Sequence, residues 1–175
     1  VGKWIAVLML GLFVTGCQFV GRGPDTGPPE IEDRGVEQPE RVERQVAFPE
    51  EEYAKLEKSG TASVSGRLFI RSRSGEIVYG AGETVSAAPA TSYSAEAAEV
   101  ALAGDYIEPA DPRAQAYTHY AKTDDQGYFT ITGLPAGVFY VAGRVSEPGP
   151  DGERRVIINQ VRLGKGEKAK IELSR

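Results

Sequence analysis

The stretch Thr123 to Val141, TDDQGYFTITGLPAGVFYV, decides the fold. Phe129 and Ile131 alternate with Tyr128, Thr130 and Thr132, and Phe139, Val141 and Val145 resume the apolar series after a break. A period of two is the pattern of a strand with one buried face. The break, Gly133-Leu134-Pro135-Ala136-Gly137, holds a proline that presets φ and glycines that accept positive φ, so it reads as the connection between two strands. Asp124 and Asp125 at the head of the stretch admit three readings: a cation loop, half of an acid/base pair, or a turn. Alternate oxygen ligands before a glycine and a closing Glu, the EF-hand spacing, are lacking here. The Asp124 side chain can bond the backbone two residues on and shape the entry at Gln126-Gly127. Asp125 receives no structural role.

The same alternation extends outward. Ala62, Val64, Gly66, Leu68 and Ile70 alternate with Ser63, Ser65, Arg67, Phe69 and Arg71. Val85 and Ala87 turn inward in a strand near Glu83 to Ala88. Further strands are expected over Ala116 to Thr123, Tyr128 to Thr132, Val138 to Val145, Arg154 to Leu163 and Lys168 to Leu173. Between them, TSYSAEAAEVALAGD puts Tyr93, Ala97, Val100 and Ala101 on one helical face, with Thr91 or Ser92 to cap it and Gly104 to end it. Roughly seven short strands with turn signals between them, and one short inserted helix, predict an all-β protein, an antiparallel β-sandwich. The 21 glycines and 11 prolines agree with a turn-rich chain of 175 residues. A net charge of -5 gives no basis for nucleic-acid binding, which needs clustered Lys and Arg.

The N-terminal stretch VGKWIAVLMLGLFVTGC carries one cation, Lys3, and an apolar run from Trp4 to Val14. That run is much shorter than the roughly 20 residues of a membrane-spanning helix, and residues 1–16 read as an export signal. Val14-Thr15-Gly16-Cys17 resembles the bacterial lipobox. The resemblance implies cleavage between Gly16 and Cys17, lipidation of the Cys17 thiol and acylation of the new amine, the palmitate-type anchoring of a lipoprotein. Several acyl chains make a stable anchor where one is marginal. Gln18 stands where an inner-membrane retention signal would place aspartate, so in a Gram-negative cell the expected location is the outer membrane, at its periplasmic face or surface. Residues 17–58, rich in Pro, Gly and Glu, then read as a disordered acidic tether whose span is on the order of 30 to 35 Å. An alternative for the end of this segment is a short helix over Glu50 to Lys58, with Tyr53 and Leu56 on one side. Residues 59–175 form the sandwich.

Thr123-Asp124, Gly127, Phe129, Ile131, Gly133-Leu134-Pro135, Gly137, Phe139 and Val141 together resemble the carboxypeptidase regulatory-like domain, a transthyretin-like, immunoglobulin-like sandwich. Val64-Ser65-Gly66 and Gly82-Glu83-Thr84-Val85 fit it as well. The likeness covers Ser63 to Leu173 and is interrupted by a long insertion, Pro89 to Gln115. It implies that Asp124, Gly127, Phe129, Gly133, Leu134, Pro135 and Gly137 are scaffold and that the domain is an accessory module without catalysis of its own.

The chemistry-bearing residues agree with that implication. Zinc needs several His or Cys ligands, and this chain has one His, His119, and one Cys. Transthyretin-like hydroxyisourate hydrolases rely on multiple histidines. A serine triad would need His119 as base, yet Tyr117-Thr118-His119-Tyr120 reads as a strand and no nucleophile elbow is present. Gly80-Ala81-Gly82 and Gly164-Lys165-Gly166 are turns, because neither opens a helix as a phosphate cradle does. Asp105, Glu108 and Asp111 are the acids that could join Asp124 or Asp125 around a cation, but no metal or cofactor is assigned. Tyr93, Tyr106, Tyr117 and Tyr120, around the insertion, are the candidate ligand or partner surface. The leading expectation is a non-enzymatic accessory or protein-binding module of the envelope. A carbohydrate-binding module is the alternative, and an unrecognised hydrolase the third class.

Overall fold

The computed structural model describes residues 41–72, 74–149 and 152–175. Cys17, Gly16, the export signal and most of the tether lie outside the described residues. The elements in chain order are β1 (Arg41–Val42), α1 (Glu50–Tyr53), β2 (Ala62–Arg71), β3 (Ile77–Tyr79), β4 (Thr84–Pro89), α2 (Ser92–Ala103), β5 (Tyr106–Ile107), α3 (Pro112–Gln115), β6 (His119–Lys122), β7 (Tyr128–Leu134), β8 (Gly137–Ser146), β9 (Arg154–Leu163) and β10 (Lys168–Ser174). They make an all-β sandwich. In one sheet β2 is flanked by β10 and by β7 and β3; the other runs β6-β4-β8-β9. Pairing is antiparallel in both sheets except for β10, which lies parallel to β2.

The alternation places the core. Val64, Leu68, Ile70, Ile131, Leu134 and Leu173 face Val85, Ala87, Phe139, Val141, Val145, Ile157 and Leu163 across the sandwich, all buried. Full burial of such a side chain stabilises by about 1.5–3 kcal/mol, so this list is the main source of stability. Leu68 sits at its centre, and two features make room for it. A Cβ on Gly143 would stand 2.9 Å from both Leu68 methyl carbons. A Cβ on Gly127 would stand 2.3 Å from the Leu68 carbonyl oxygen, and Gly127 holds φ +79, a conformation that L side chains rarely adopt.

Asp124 shapes the turn into β7: its Oδ1 accepts from the amides of Gln126 and Tyr128, each at 2.9 Å, while Gly127 N–H donates to the Asp124 carbonyl. Asp125 is exposed. Leu134 and Pro135 are buried, and the Gly133 carbonyl accepts from Gly60 N–H at 2.8 Å, which closes the domain edge where the 59–60 chain arrives.

Three features differ from the sequence expectations. Residues 116–118, read as the start of a strand, form instead the turn that follows α3, and the strand begins at His119; Asp111 caps α3 by accepting from Arg113 N–H at 2.8 Å and Pro112 occupies its first turn. β3 and the two-residue strands are additional, too short to show a period. Most consequentially, residues 41–58 do not hang free as tether. β1 pairs in parallel with β5 and Tyr53 is 3% exposed, while α1 over Glu50–Tyr53 is a shorter form of the helix offered as the alternative for this segment. Composition gave this segment no core, but it borrows one from the insertion.

Candidate functional site

α2 is an Ala- and Glu-rich segment with high helix propensity, bounded by two local signals. Thr91 Oγ1 accepts from Ser94 N–H at 3.2 Å while Ser94 Oγ accepts from Thr91 N–H at 2.9 Å, a reciprocal capping box with serine in the usual Glu position. Gly104, in the left-handed conformation at φ +97, ends the helix. Residues 41–58 then strap it in place. Glu52 accepts from Ser92 N–H at 3.0 Å and from its hydroxyl at 2.9 Å. Glu96 Oε1 accepts from the amides of Gln45 and Val46, at 2.6 and 3.2 Å, and its other oxygen stands 3.6 Å from Arg44 Nη1. The Arg44 guanidinium lies over the Tyr93 ring, 4.1 Å from its centroid, and its Nε donates to the Glu108 carbonyl.

Under the strap is a second, smaller core of Tyr53, Tyr93 and Ala114 with Val46, Phe48, Leu56, Ala110 and Tyr117. The Tyr53 ring packs 4.7 Å from Phe48 and edge-on to Tyr117 at 5.1 Å, and Thr91 donates to its hydroxyl at 3.3 Å. Burial raises the Tyr53 phenol above its ordinary value of 10.0. The unfolded chain therefore releases this proton first. The stabilisation this represents is complete below pH 10 and is lost as pH rises through the folded value. We expect the denaturation midpoint to fall between pH 8 and roughly pH 11 by more in the native protein than in Tyr53→Phe, with equal falls counting against the burial of this phenol.

Of the four tyrosines singled out from sequence, Tyr93 and Tyr120 both line one cleft, Tyr106 lines a smaller hollow, and Tyr117 lines neither. Tyr93 and Tyr117 belong to the small core, and the Tyr93 hydroxyl accepts from Asp111 N–H at 2.9 Å. Tyr106, on β5, is 37% exposed at another end of the insertion, and Tyr120 is 58% exposed on β6. The turn after α3, where the first residues of a strand were expected, places Tyr117 against the small core, and alternation along β6 puts Tyr120 on the outer face of the sheet.

That outer face, with Tyr93 and Tyr120 among the lining residues, forms the concave site. A cleft of about 620 Å³ lies between α2 and the outward side chains of the β6-β4-β8-β9 sheet. Its depth follows from residue size. β4 and β8 present Ser86, Ala88 and Ala142 outward, and α2 faces them with Ala97, Ala98 and Ala101. The register aligns Tyr120, Ser86, Ala142 and Ile158 as one row across four strands, and Tyr140 beside Ala88 in the next. The cleft thus has a shallow apolar floor, aromatic walls at Tyr120 and Tyr140, and polar groups at Thr84, Ser86 and Thr118.

Other candidate sites are already filled. On the outer face of the first sheet Arg67 lies 4.0 Å from the Tyr79 ring centroid and 4.6 Å from that of Tyr128, with its Nε donating to the Gln126 carbonyl at 2.8 Å. Arginine there occupies a face of each ring that a sugar would stack on. His119 Nε2 donates to the Lys58 carbonyl at 2.9 Å and so ties the strap to β6. Asp111 is held by Arg113 through both carboxylate oxygens, which keeps it below the ordinary carboxylate range, and Glu108 accepts from Arg44. Among the described residues no three His, Cys, Asp or Glu side chains converge as a metal site. No described helix is long and apolar enough to cross a membrane.

Fold and cleft together define a class: a β-sandwich carrying a helix-roofed, aromatic-walled hollow on one outer sheet face. The chain is similar to the crystal structure of a Pseudomonas aeruginosa protein proposed to bind carbohydrate, with 28% identity, a TM-score of 0.61 and coverage of 73% of this chain and 97% of that one. No family model and no curated protein matches the sequence.

Proposed function

We propose that this protein is a non-enzymatic, glycan-binding module of the bacterial envelope, held to the membrane by a lipid on Cys17, and that the cleft between α2 and the β6-β4-β8-β9 sheet takes the saccharide. The observation that carries this reading is the cleft itself. Sugars offer flat C–H faces ringed by hydroxyls, and a hollow with tyrosine walls, a small-residue floor and scattered hydroxyl groups matches that chemistry. The likeness to a protein proposed to bind carbohydrate supports it. The resemblance to the carboxypeptidase regulatory-like domain supports the accessory role, and the lipobox-like run before Cys17 supports export and anchoring.

Two measurements test the reading. A glycan array probed with the purified domain is expected to give saturable signals that Ala142→Trp abolishes, because indole fills the floor of the cleft from an outward position without touching the core. Absence of any saturable glycan signal would transfer the function to protein partners. For the anchor, labelled palmitate is expected to enter the protein in cells and to disappear in Cys17→Ser; label that persists in the variant overturns the lipidation.

A further inference from the structure

The cleft is cationic in a chain that is acidic overall. Of the net charge of -5, residues 1–40 carry -3 and residues 41–175 carry -2. Yet the cleft is lined by Lys122, Arg144, Arg154 and Arg44, with Glu83 as its carboxylate. Arg44 belongs to the strap and is spent on Glu96 and Tyr93. Arg154 approaches Glu83 only to 3.7 Å, with both side chains solvent-accessible, which is a weak pair. Among the described residues Lys122 and Arg144 have no carboxylate within ion-pair distance, and both are exposed outward on the sheet. Lys122 lies beside Thr84 on β6, and Arg144 beside Val156 on β8, so they stand at the same end of the hollow as Arg154. A smaller hollow of about 320 Å³ shares Arg144 and Arg154 with the cleft and is also lined by Arg155 and Arg175, with Asp105 and Glu153 as its carboxylates.

We infer that the glycan this cleft takes is anionic, a saccharide bearing carboxylate or phosphate groups. The inference rests on the glycan-binding reading above and specifies its ligand. Lys122 and Arg144, the latter 5.8 Å from the Tyr106 ring centroid, keep charge unpaired by any described carboxylate at the rim of the hollow, and clustered charge of one sign in a cleft focuses the field on an anion. They would carry the charge recognition, with Tyr120 and Tyr140 receiving the sugar face. Guanidinium and ammonium donors to carboxylate or phosphate form the stronger, charge-assisted hydrogen bonds.

The test is an array carrying uronate-containing, sialylated, phosphorylated and neutral oligosaccharides, followed by titration of retained ligands against their methyl-esterified or dephosphorylated counterparts. Acidic glycans are expected to be retained, and uronates against phosphosugars identify which anion is preferred. Affinity is expected to fall about tenfold or more as NaCl is raised from roughly 50 to 500 mM, as for charges screened within a Debye length. The double variant Lys122→Gln/Arg144→Gln, both exposed and outside the core, is expected to lose about tenfold to hundredfold in affinity for acidic glycans, as removal of one or two charge-assisted contacts would produce. Retention of neutral glycans alone, or equal binding of the esterified ligand, overturns the anionic inference and leaves the glycan reading standing. No retained glycan of any kind overturns both.

Discussion

Replacement of Tyr53 by alanine is expected to cost about 3–5 kcal/mol, the range for removing a large buried aromatic, although Tyr53 lies outside the main sandwich. Its ring is the keystone between Phe48 on the strap and Tyr117 after α3, and its hydroxyl meets the Thr91 cap of α2. Losing it removes the common neighbour of three segments. Urea denaturation measures the cost, and hydrogen exchange should show early opening confined to residues 41–58 and the insertion. Tyr53→Phe keeps the packing and gives up one hydrogen bond, so its expected cost is about 0.5–1.5 kcal/mol. A Tyr53→Ala protein within about 1 kcal/mol of the native stability would mean the strap is not part of the cooperative fold.

Inside the sandwich the largest effect concerns Leu68. Leu68→Ala is expected to lose about 2–5 kcal/mol, and Gly143→Ala about 1–3 kcal/mol through overpacking against the Leu68 methyls. The double variant should cost less than the sum. The added methyl at residue 143 enters space that Leu68 has vacated, since the Cβ would meet the Leu68 methyl carbons at 2.9 Å. A double-mutant cycle checks it; strict additivity would mean the two sites relax independently.

The sandwich was legible in the sequence because its information is local. Phe129, Ile131, Phe139 and Val141 announce their burial through alternation, and Asp124 and Gly127 announce the turn through their own chemistry. The strap was not. Its contacts run from Glu52 to Ser92, from Gln45 and Val46 to Glu96, and from Lys58 to His119. Side chain to backbone bonds over such separations leave no period, and a Pro- and Glu-rich composition points the other way. The cleft lies between these cases. The outward positions of Tyr120 and Lys122, and of Tyr140 and Arg144, follow from strand alternation around Ala121, Val141 and Gly143. A signal was present in Ser86, Ala88 and Ala142: small residues at positions where an exposed sheet face ordinarily carries bulk. Tyr93 and Tyr117 stand out in the sequence by their place around the insertion, and that place does not separate Tyr93, which lines the cleft as well as the small core, from Tyr117, which packs against the small core alone.

The manner in which α2 is fastened has a consequence for recognition kinetics. The helix is bound at its first turn through Glu52, at its middle through Glu96, and just beyond its end by the β1–β5 pairing. Fastening at three points restrains this roof against hinging. On the proposed glycan-binding reading, the hollow is a preorganised receptor with little ordering entropy left to lose on association. Ligand association should proceed in one phase with a rate linear in concentration, without the saturating rate of a prior opening step.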